Sequence, residues 1–240
     1  MPTSPGNAIL RALPAAEIER LEPYLKTVRL TPGQPICTVH EPLAGIWFPE
    51  TGAASRLIQL LTGETVEVGI VGNDGVIGVP LVLGADRSVG HCVVHIEGTA
   101  LVMSAADLRE HVREHGGPLL DALLLWTNLY ISALAQLTAC HCLHRIEQRL
   151  SRCILTLDDY GCQEQLRITH DTLAEFLGVH RPSITYALQA LAATGAITSE
   201  RRRIVIADRK ALLEHSCECY GVIRNTTSRE LARIGTRLAG

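Results

Sequence analysis

The stretch from about residue 166 to 213 constrains the fold more than any other part of the chain. Thr169 can cap a helix whose apolar positions are Leu173, Ala174 and Leu177, and Gly178 breaks the pattern directly after them. Gly178-Val179-His180 is a tight turn into a second helix, and Pro182 suits that helix's first turn, where its missing N–H is not needed. Ile184, Ala187, Leu188 and Leu191 form a buried side, and Gly195 stops the helix. Ile197, a charged turn at 200–203 and Ile204-Val205-Ile206 read as a β-hairpin, after which Asp208 can cap a last helix over 209–215. Helix, tight turn, helix, hairpin is the order of a winged helix-turn-helix.

The rest of the chain has a different grain. Ile9, Leu10, Leu13, Ile18, Leu21 and Leu25 recur at helical spacing, predicting one or two short helices over 8–26. From about 27 to 103, short apolar runs alternate with Gly-bearing turns: Val28–Leu30, Gly45–Phe48, Ser55–Leu61, Val66–Val71, Val76–Leu83, Cys92–Ile96 and Ala100–Met103. Runs at this spacing predict an all-β roll or sandwich. Ser104 is an N-cap for a helix over 105–114, and Gly116-Gly117-Pro118 breaks the chain. A long helix follows with the seam Leu123, Trp126, Tyr130, Leu134, Leu137, read as a dimer helix, the plainer alternative being a helix packed on its own β-domain. A further helix is predicted over 144–159. The expected fold class is therefore α+β, with a β-roll over 8–116, a dimerisation helix over 117–142, a winged helix-turn-helix over 143–216 and a tail over 217–240.

Composition limits the function classes. Residues 1–140 hold 8 Lys+Arg against 14 Asp+Glu, whereas residues 141–240 hold 14 against 11. An acidic front and a mildly basic back suggest different partners. Met1–Asn7 lacks the basic and apolar regions of a signal peptide, and Asp121, Asn128 and Gln136 interrupt the apolar stretch 119–137, so a cytoplasmic chain without a membrane span is expected. The eight cysteines then read as reduced thiols.

On the second helix of the motif, the buried side leaves Arg181, Ser183, Thr185, Tyr186 and Gln189 facing outward. A polar strip led by an arginine suits base edges in the major groove, since a guanidinium makes two hydrogen bonds to guanine O6 and N7. Thr169, His170, Arg201, Arg202 and Arg203 are placed for phosphates. Double-stranded DNA is the expected partner, with a second copy of the chain, and with RNA polymerase if the chain activates transcription. A rival reading is a protein-interaction module with a solvated polar face. An enzymatic β-roll of the cupin kind finds only His91 and His95, four apart on one strand with no second motif, and no catalytic residue is assigned.

Taken together, the segments GNDGVIGV from Gly72, Arg87-Ser88, LHRIEQRL from Leu143 and THDTLAEFLGVHRPSIT from Thr169 resemble the Crp/Fnr family of regulators over about 27–215. The resemblance implies a cyclic-nucleotide-binding-like jelly roll as sensor, a long dimer helix and a DNA-binding domain that the sensor reorients, and the joint between the two predicted helices places the hinge near Cys140–His144. The resemblance marks Gly75, Gly78, Arg87 and Ser88 as a candidate effector pocket, the plainer alternative for Arg87-Ser88 being a structural turn of the β-roll with a solvated arginine. Cyclic-nucleotide-binding members place a glutamate where this chain has Val76, which cannot accept a ribose hydroxyl hydrogen bond. The stretch supplying hydroxyls to the base reads Leu134-Ala135. In the recognition helix, Pro182 and Tyr186 replace the family's usual glutamate and second arginine, so the familiar half-site is not implied. Cyclic-nucleotide sensing and cysteine- or metal-based redox sensing stand as alternatives for the signal. Cys37 and Cys92 lack the amino-terminal cluster of the family's iron–sulfur members. Cys140, Cys142 and His144 are the candidate metal ligands, with Cys142 off the face shared by Cys140 and His144. A four-ligand site there needs a break or a dimer mate, and Cys217-x-Cys219 by itself lacks a second ligand pair.

Overall fold

The computed structural model describes residues 5–161, 165–200 and 202–238. The chain divides into two compact units, one built from Met1–Arg56, Ile70–Ser132 and Asn225–Gly240, the other from Leu57–Gly69 and Ala133–Arg224.

The first unit opens with α1 (Ala8–Arg11) and α2 (Ala15–Leu21), which bury Ile9, Leu10 and Leu21. Asn7 caps α1 through its side-chain oxygen, while its Nδ2 donates to the carbonyls of Pro49 and Gly75 at 2.9 and 2.8 Å. Seven strands follow along the chain, β4 and β5 each straddling the division between the units: β1 (Lys26–Leu30), β2 (Pro35–Cys37), β3 (Gly45–Pro49), β4 (Ala53–Gln59), β5 (Thr65–Val71), β6 (His91–Ile96) and β7 (Gly98–Ser104). They form a three-stranded sheet in the order β1-β7-β3 and a four-stranded sheet in the order β2-β6-β4-β5. β5 alternates buried and half-buried positions, with Glu67, Gly69 and Val71 inward. Ile46, Phe48, Val94 and Met103 close the core.

The run Val76–Leu83, expected as a strand, is instead a bridge from Ile77 to Trp47 followed by α3 (Val79–Val82). Pro80 cannot donate to a ladder, and Gly78 turns the chain at a φ of +116°. Strand β2 was not expected, because three residues are too few to show a period. Ser104 caps α4 (Ala105–His115), its Oγ accepting from the Asp107 N–H at 3.0 Å. Then comes α5 (Pro118–Leu143). Against the sequence expectation, α5 is long and apolar enough to cross a membrane by length and composition, with mean hydropathy 1.3. Leu119, Ala122, Leu123, Trp126, Leu129 and Tyr130 are nevertheless buried within the chain, which is the pattern of a core-packed helix.

In the second unit, α6 (Ile146–Asp159) buries Leu150, Ile154 and Leu157. α7 (His170–Leu177) begins at the Thr169 cap and ends at Gly178, whose φ of +58° is the left-handed closure that glycine accepts without a Cβ clash. α8 (Arg181–Ala193) carries Pro182 in its first turn and buries Ile184, Ala187, Leu188 and Leu191. β8 (Ile197–Glu200) and β9 (Arg203–Ile206) pair antiparallel with Ile197 opposite Ile206. Asp208 caps α9 (Arg209–Glu214), accepting from the Lys210 and Ala211 N–H groups. The expected carboxy-terminal tail is instead a helix, α10 (Cys219–Leu238). Its first turn is fixed on α6 by the Tyr220 hydroxyl, which donates to Asp159 at 2.8 Å and accepts from Arg209 of the preceding helix, itself paired with Asp158 and Asp159.

Candidate nucleic-acid interface

The amino end of α7, the outer face of α8 and the β8–β9 hairpin enclose a concave surface of about 490 Å³. Thr169, His170, Arg181, Thr185 and Arg202 all line it. The fold therefore brings residues from three sequence segments onto one surface. Ile184, Ala187, Leu188 and Leu191 hold the other side of α8 in the core, which fixes how the helix is rotated. His170 Nδ1 lies 3.1 Å from Thr185 Oγ1, tying the two helices together at the groove. Arg181 Nε is 3.5 Å from Asp171 Oδ1, with both side chains about two-thirds exposed. Such an exposed pair is worth little, about 0–1 kcal/mol, and releases the guanidinium readily to a better acceptor.

Tyr186 is 72% exposed and Ser183 half-buried on the same helix. Arg203 is exposed and sits 4.0 Å from Glu200 at the base of the hairpin. Arg202 stands at a φ of +62°, a backbone state uncommon for a non-glycine residue and frequent at tight hairpin turns. Arg201 lies outside the described residues.

The residues marked as an effector pocket separate. Gly78 and Ser88 line a cavity of only about 30 Å³, together with Arg56, Val76, His91 and Tyr130. Arg87 does not line it: the guanidinium donates to the His40 carbonyl at 2.6 Å on the exposed side. Gly75 serves packing, since a Cβ there would fall 2.3 Å from the indole of Trp126. Trp126 in turn packs edge-on against Tyr130, with ring centroids 4.7 Å apart. Ligand pockets usually span about 300–1,000 Å³. A nucleotide has no room in this cavity as it stands. Cys37 and Cys92 face each other across β2 and β6. Burial pushes the Cys37 thiol up to about 11 and the Cys92 thiol higher, so neither is a reactive thiolate.

The seam assigned to the dimer helix also needs correcting. Leu123, Trp126 and Tyr130 are at most 7% exposed and face their own unit, while Leu134 and Leu137 are half-buried. The large apolar residues that α5 leaves open are Leu124 at 44% and Ile131 at 56%, one heptad apart, and Leu143 at 80% at its end. Both stripes are apolar, so the sequence pattern could not say which one the chain covers itself.

Among the candidate metal ligands, Cys140 and His144 lie together, and exposed Cys142 does not join them. Their companions are Cys217 and Cys219 of the same chain, so neither a helix break nor a dimer mate is needed to complete a set of four.

A family model described as a Crp-like helix-turn-helix domain matches residues 148–215. That match falls on the segment that builds the groove. The chain carries a Crp-like helix-turn-helix domain on the fold of the Crp/Fnr transcription regulators. Similar solved structures include a Crp/Fnr-family transcriptional regulator from Thermus thermophilus, 20% identical with a TM-score of 0.66, covering 80% of this chain and 98% of that one. The c-di-GMP-responsive global regulator CLP from Xanthomonas campestris is 16% identical with a TM-score of 0.66, covering 80% and 99%. FixK2 from Bradyrhizobium japonicum is 15% identical with a TM-score of 0.67, covering 80% and 98%. No curated protein sequence matches the chain.

Proposed function

We propose that the chain is a cytoplasmic, homodimeric transcription regulator that reads duplex DNA with α8 and holds the backbone with the start of α7 and the hairpin. The observation that carries this reading is the shared groove of Thr169, His170, Arg181, Thr185 and Arg202 on a Crp-like helix-turn-helix domain. Arg181, Ser183, Thr185 and Tyr186 read bases. Thr169, His170, Arg202 and Arg203, with Arg201, contact phosphates, and such contacts position a protein without reading sequence. A signal received by the β-roll shifts the dimer between states that present the two reading helices differently to DNA. The small cavity beside Val76 speaks against an unmodified cyclic nucleotide as that signal. An activator of this kind would also touch RNA polymerase.

Selection of random duplexes by the purified protein tests the reading. A palindromic motif is expected, with half-site centres about one helical turn apart. The logarithm of affinity should fall with the logarithm of salt at a slope of about −0.9 per phosphate neutralised. Absence of enrichment together with a flat salt response would favour a protein-interaction module.

The dimer contact is assigned to the Leu124–Ile131 stripe. Ile131→Asp should raise the dimer dissociation constant at least about 100-fold, because burying unpaired carboxylates costs several kcal/mol. Sedimentation equilibrium reads this directly. An unchanged dimer would move the contact off this stripe.

A further inference from the structure

The four side chains Cys140, His144, Cys217 and Cys219 place their ligand atoms within 4.8 Å of one another, with all three cysteines buried. Cys140 comes from the last turn of α5 and His144 follows just past its end, an i, i+4 pair that shares a face. Cys217 and Cys219 flank the start of α10, so one cysteine-x-cysteine step brings both thiols to the same point. The Cys140 and Cys217 sulfurs are 3.5 Å apart, and Cys219 Sγ is 3.6 Å from His144 Nδ1. A tetrahedral zinc ion with Zn–S bonds of about 2.3 Å sets neighbouring ligands roughly 3.5–3.8 Å apart. Both measured edges therefore suit one ion. The spread of all four ligand atoms, at most 4.8 Å, is too small for an iron–sulfur cluster, whose ligands on different irons lie farther apart across the cluster.

Two further observations concern the surroundings rather than the four ligands. His144 turns Nδ1 toward the sulfurs, and its Nε2 lies 3.3 Å from the Glu218 carboxylate. A carboxylate on the far nitrogen is the usual way a metal-bound imidazole is oriented and made more basic. Gln136 Nε2 donates to Cys219 Sγ at 3.0 Å, as expected for an amide supporting a thiolate. The second observation is a charge imbalance. Arg149 and Arg152 are buried, each with an unpartnered Nε, and among the described residues neither pairs with a carboxylate. Arg149 instead reaches the Leu177 carbonyl and His141 Nδ1. Buried guanidinium groups need opposite charge nearby. Three metal-bound thiolates around a divalent ion leave one net negative charge within electrostatic reach of both arginines.

We infer that Cys140, Cys217, Cys219 and His144 bind one zinc-class divalent ion in a closed tetrahedral site at the joint between α5 and α6. With four protein ligands no coordination position is open, so the ion ties the chain and does not activate water. It fastens the segment before α10 to the end of α5, which is where the sequence places the hinge. Loading releases the thiol protons to solvent as the three sulfurs take up the metal. This assignment is independent of the DNA-binding reading.

The test uses full-length protein purified under reducing, oxygen-free conditions, stripped with chelator and reloaded with Zn²⁺ or Co²⁺. About one ion per chain is expected, and Co²⁺ should give the intense visible bands of a tetrahedral site with thiolate-to-cobalt charge transfer in the near ultraviolet. Cys142→Ser should keep full loading. Cys217→Ser and Cys219→Ser should lower affinity at least about 100-fold, and His144→Ala should remove its share of the ligand field and shift the visible bands. Because single variants can misfold, thiol counting on the unmutated protein supplies a second readout. Zinc should shield three thiols from alkylation, and chelator should expose them. No stoichiometric metal uptake by the reduced protein, or octahedral cobalt spectra, would overturn the assignment. So would loading that survives loss of Cys217 and Cys219 but not loss of Cys142.

Discussion

Glu17→Ala should destabilise the amino-terminal unit by about 3 kcal/mol, the upper end of the cost of leaving a buried hydrogen-bonding group unsatisfied. Glu17 on α2 and His111 on α4 are 1% and 2% exposed, with His111 Nε2 lying 2.9 Å from Glu17 Oε1. The other carboxylate oxygen holds Arg20 at 3.2 Å, and that arginine is half-exposed and can return to water. His111 cannot. Its Nδ1 is already without a hydrogen-bond partner, so truncating Glu17 leaves both ring nitrogens buried and unpaired beside a new cavity. Thermal unfolding should drop by roughly 10 °C at the usual 2–4 °C per kcal/mol for a chain of this size. Glu17→Gln keeps an oxygen for the imidazole and should lose less than half as much. The double variant Glu17→Leu with His111→Phe should recover stability, since replacing both hydrogen-bonding partners by apolar groups of similar shape can be nearly neutral. A Glu17→Ala variant within 1 kcal/mol of the parent would show that the pair contributes only geometry.

Neither Glu17 nor His111 stands out in the sequence, and the contrast with α8 shows what a linear pattern can carry. The helix-turn-helix was legible because its signals are local: Thr169, Gly178 and Pro182 each act on their own or adjacent backbone, and the apolar steps of α8 fix its rotation. The strands were legible for the same reason where they run five residues or more. Val76–Leu83 misled because a short apolar run has no period to separate strand from helix, although Pro80 carried the warning. α10 was missed because its exposed polar run, Arg224 to Arg229, hides the spacing of Tyr220 and Leu231. The cysteine site was half legible. Each pair, Cys140 with His144 and Cys217 with Cys219, was visible alone, but Cys140 and Cys217 are 77 positions apart and only the packing of α10 unites them. The effector residues failed differently. Gly75 and Arg87 keep their place in a pattern, yet a tryptophan from α5 fills one and a loop carbonyl occupies the other.

Arg181→Ala should abolish sequence discrimination while leaving the fold and most non-specific affinity intact. The guanidinium lies in the first turn of α8, exposed, at the end of the helix that enters a major groove in this class of domain. A bidentate arginine–guanine contact contributes about 1–3 kcal/mol of discrimination, and a dimer makes it twice. The expected loss on the selected palindrome is therefore between about 30-fold and 10⁴-fold, falling on specific sites far more than on random duplex. The fold should survive, because Arg181 contributes only an exposed pair with Asp171, and helical circular dichroism and unfolding temperature check this. Arg203→Ala differs in kind: it should weaken all duplexes alike and make the salt slope shallower by about one phosphate per half-site. Asp171→Asn separates the two roles further. If Asp171 only parks the guanidinium in the free protein, its loss should leave the selected motif unchanged and raise affinity slightly. If Asp171 holds Arg181 in register on the base, Asp171→Asn should reproduce much of the specificity loss. A motif retaining its most informative base pair in the Arg181→Ala variant would transfer base reading to Ser183, Thr185 and Tyr186, the other outward residues of the same helix.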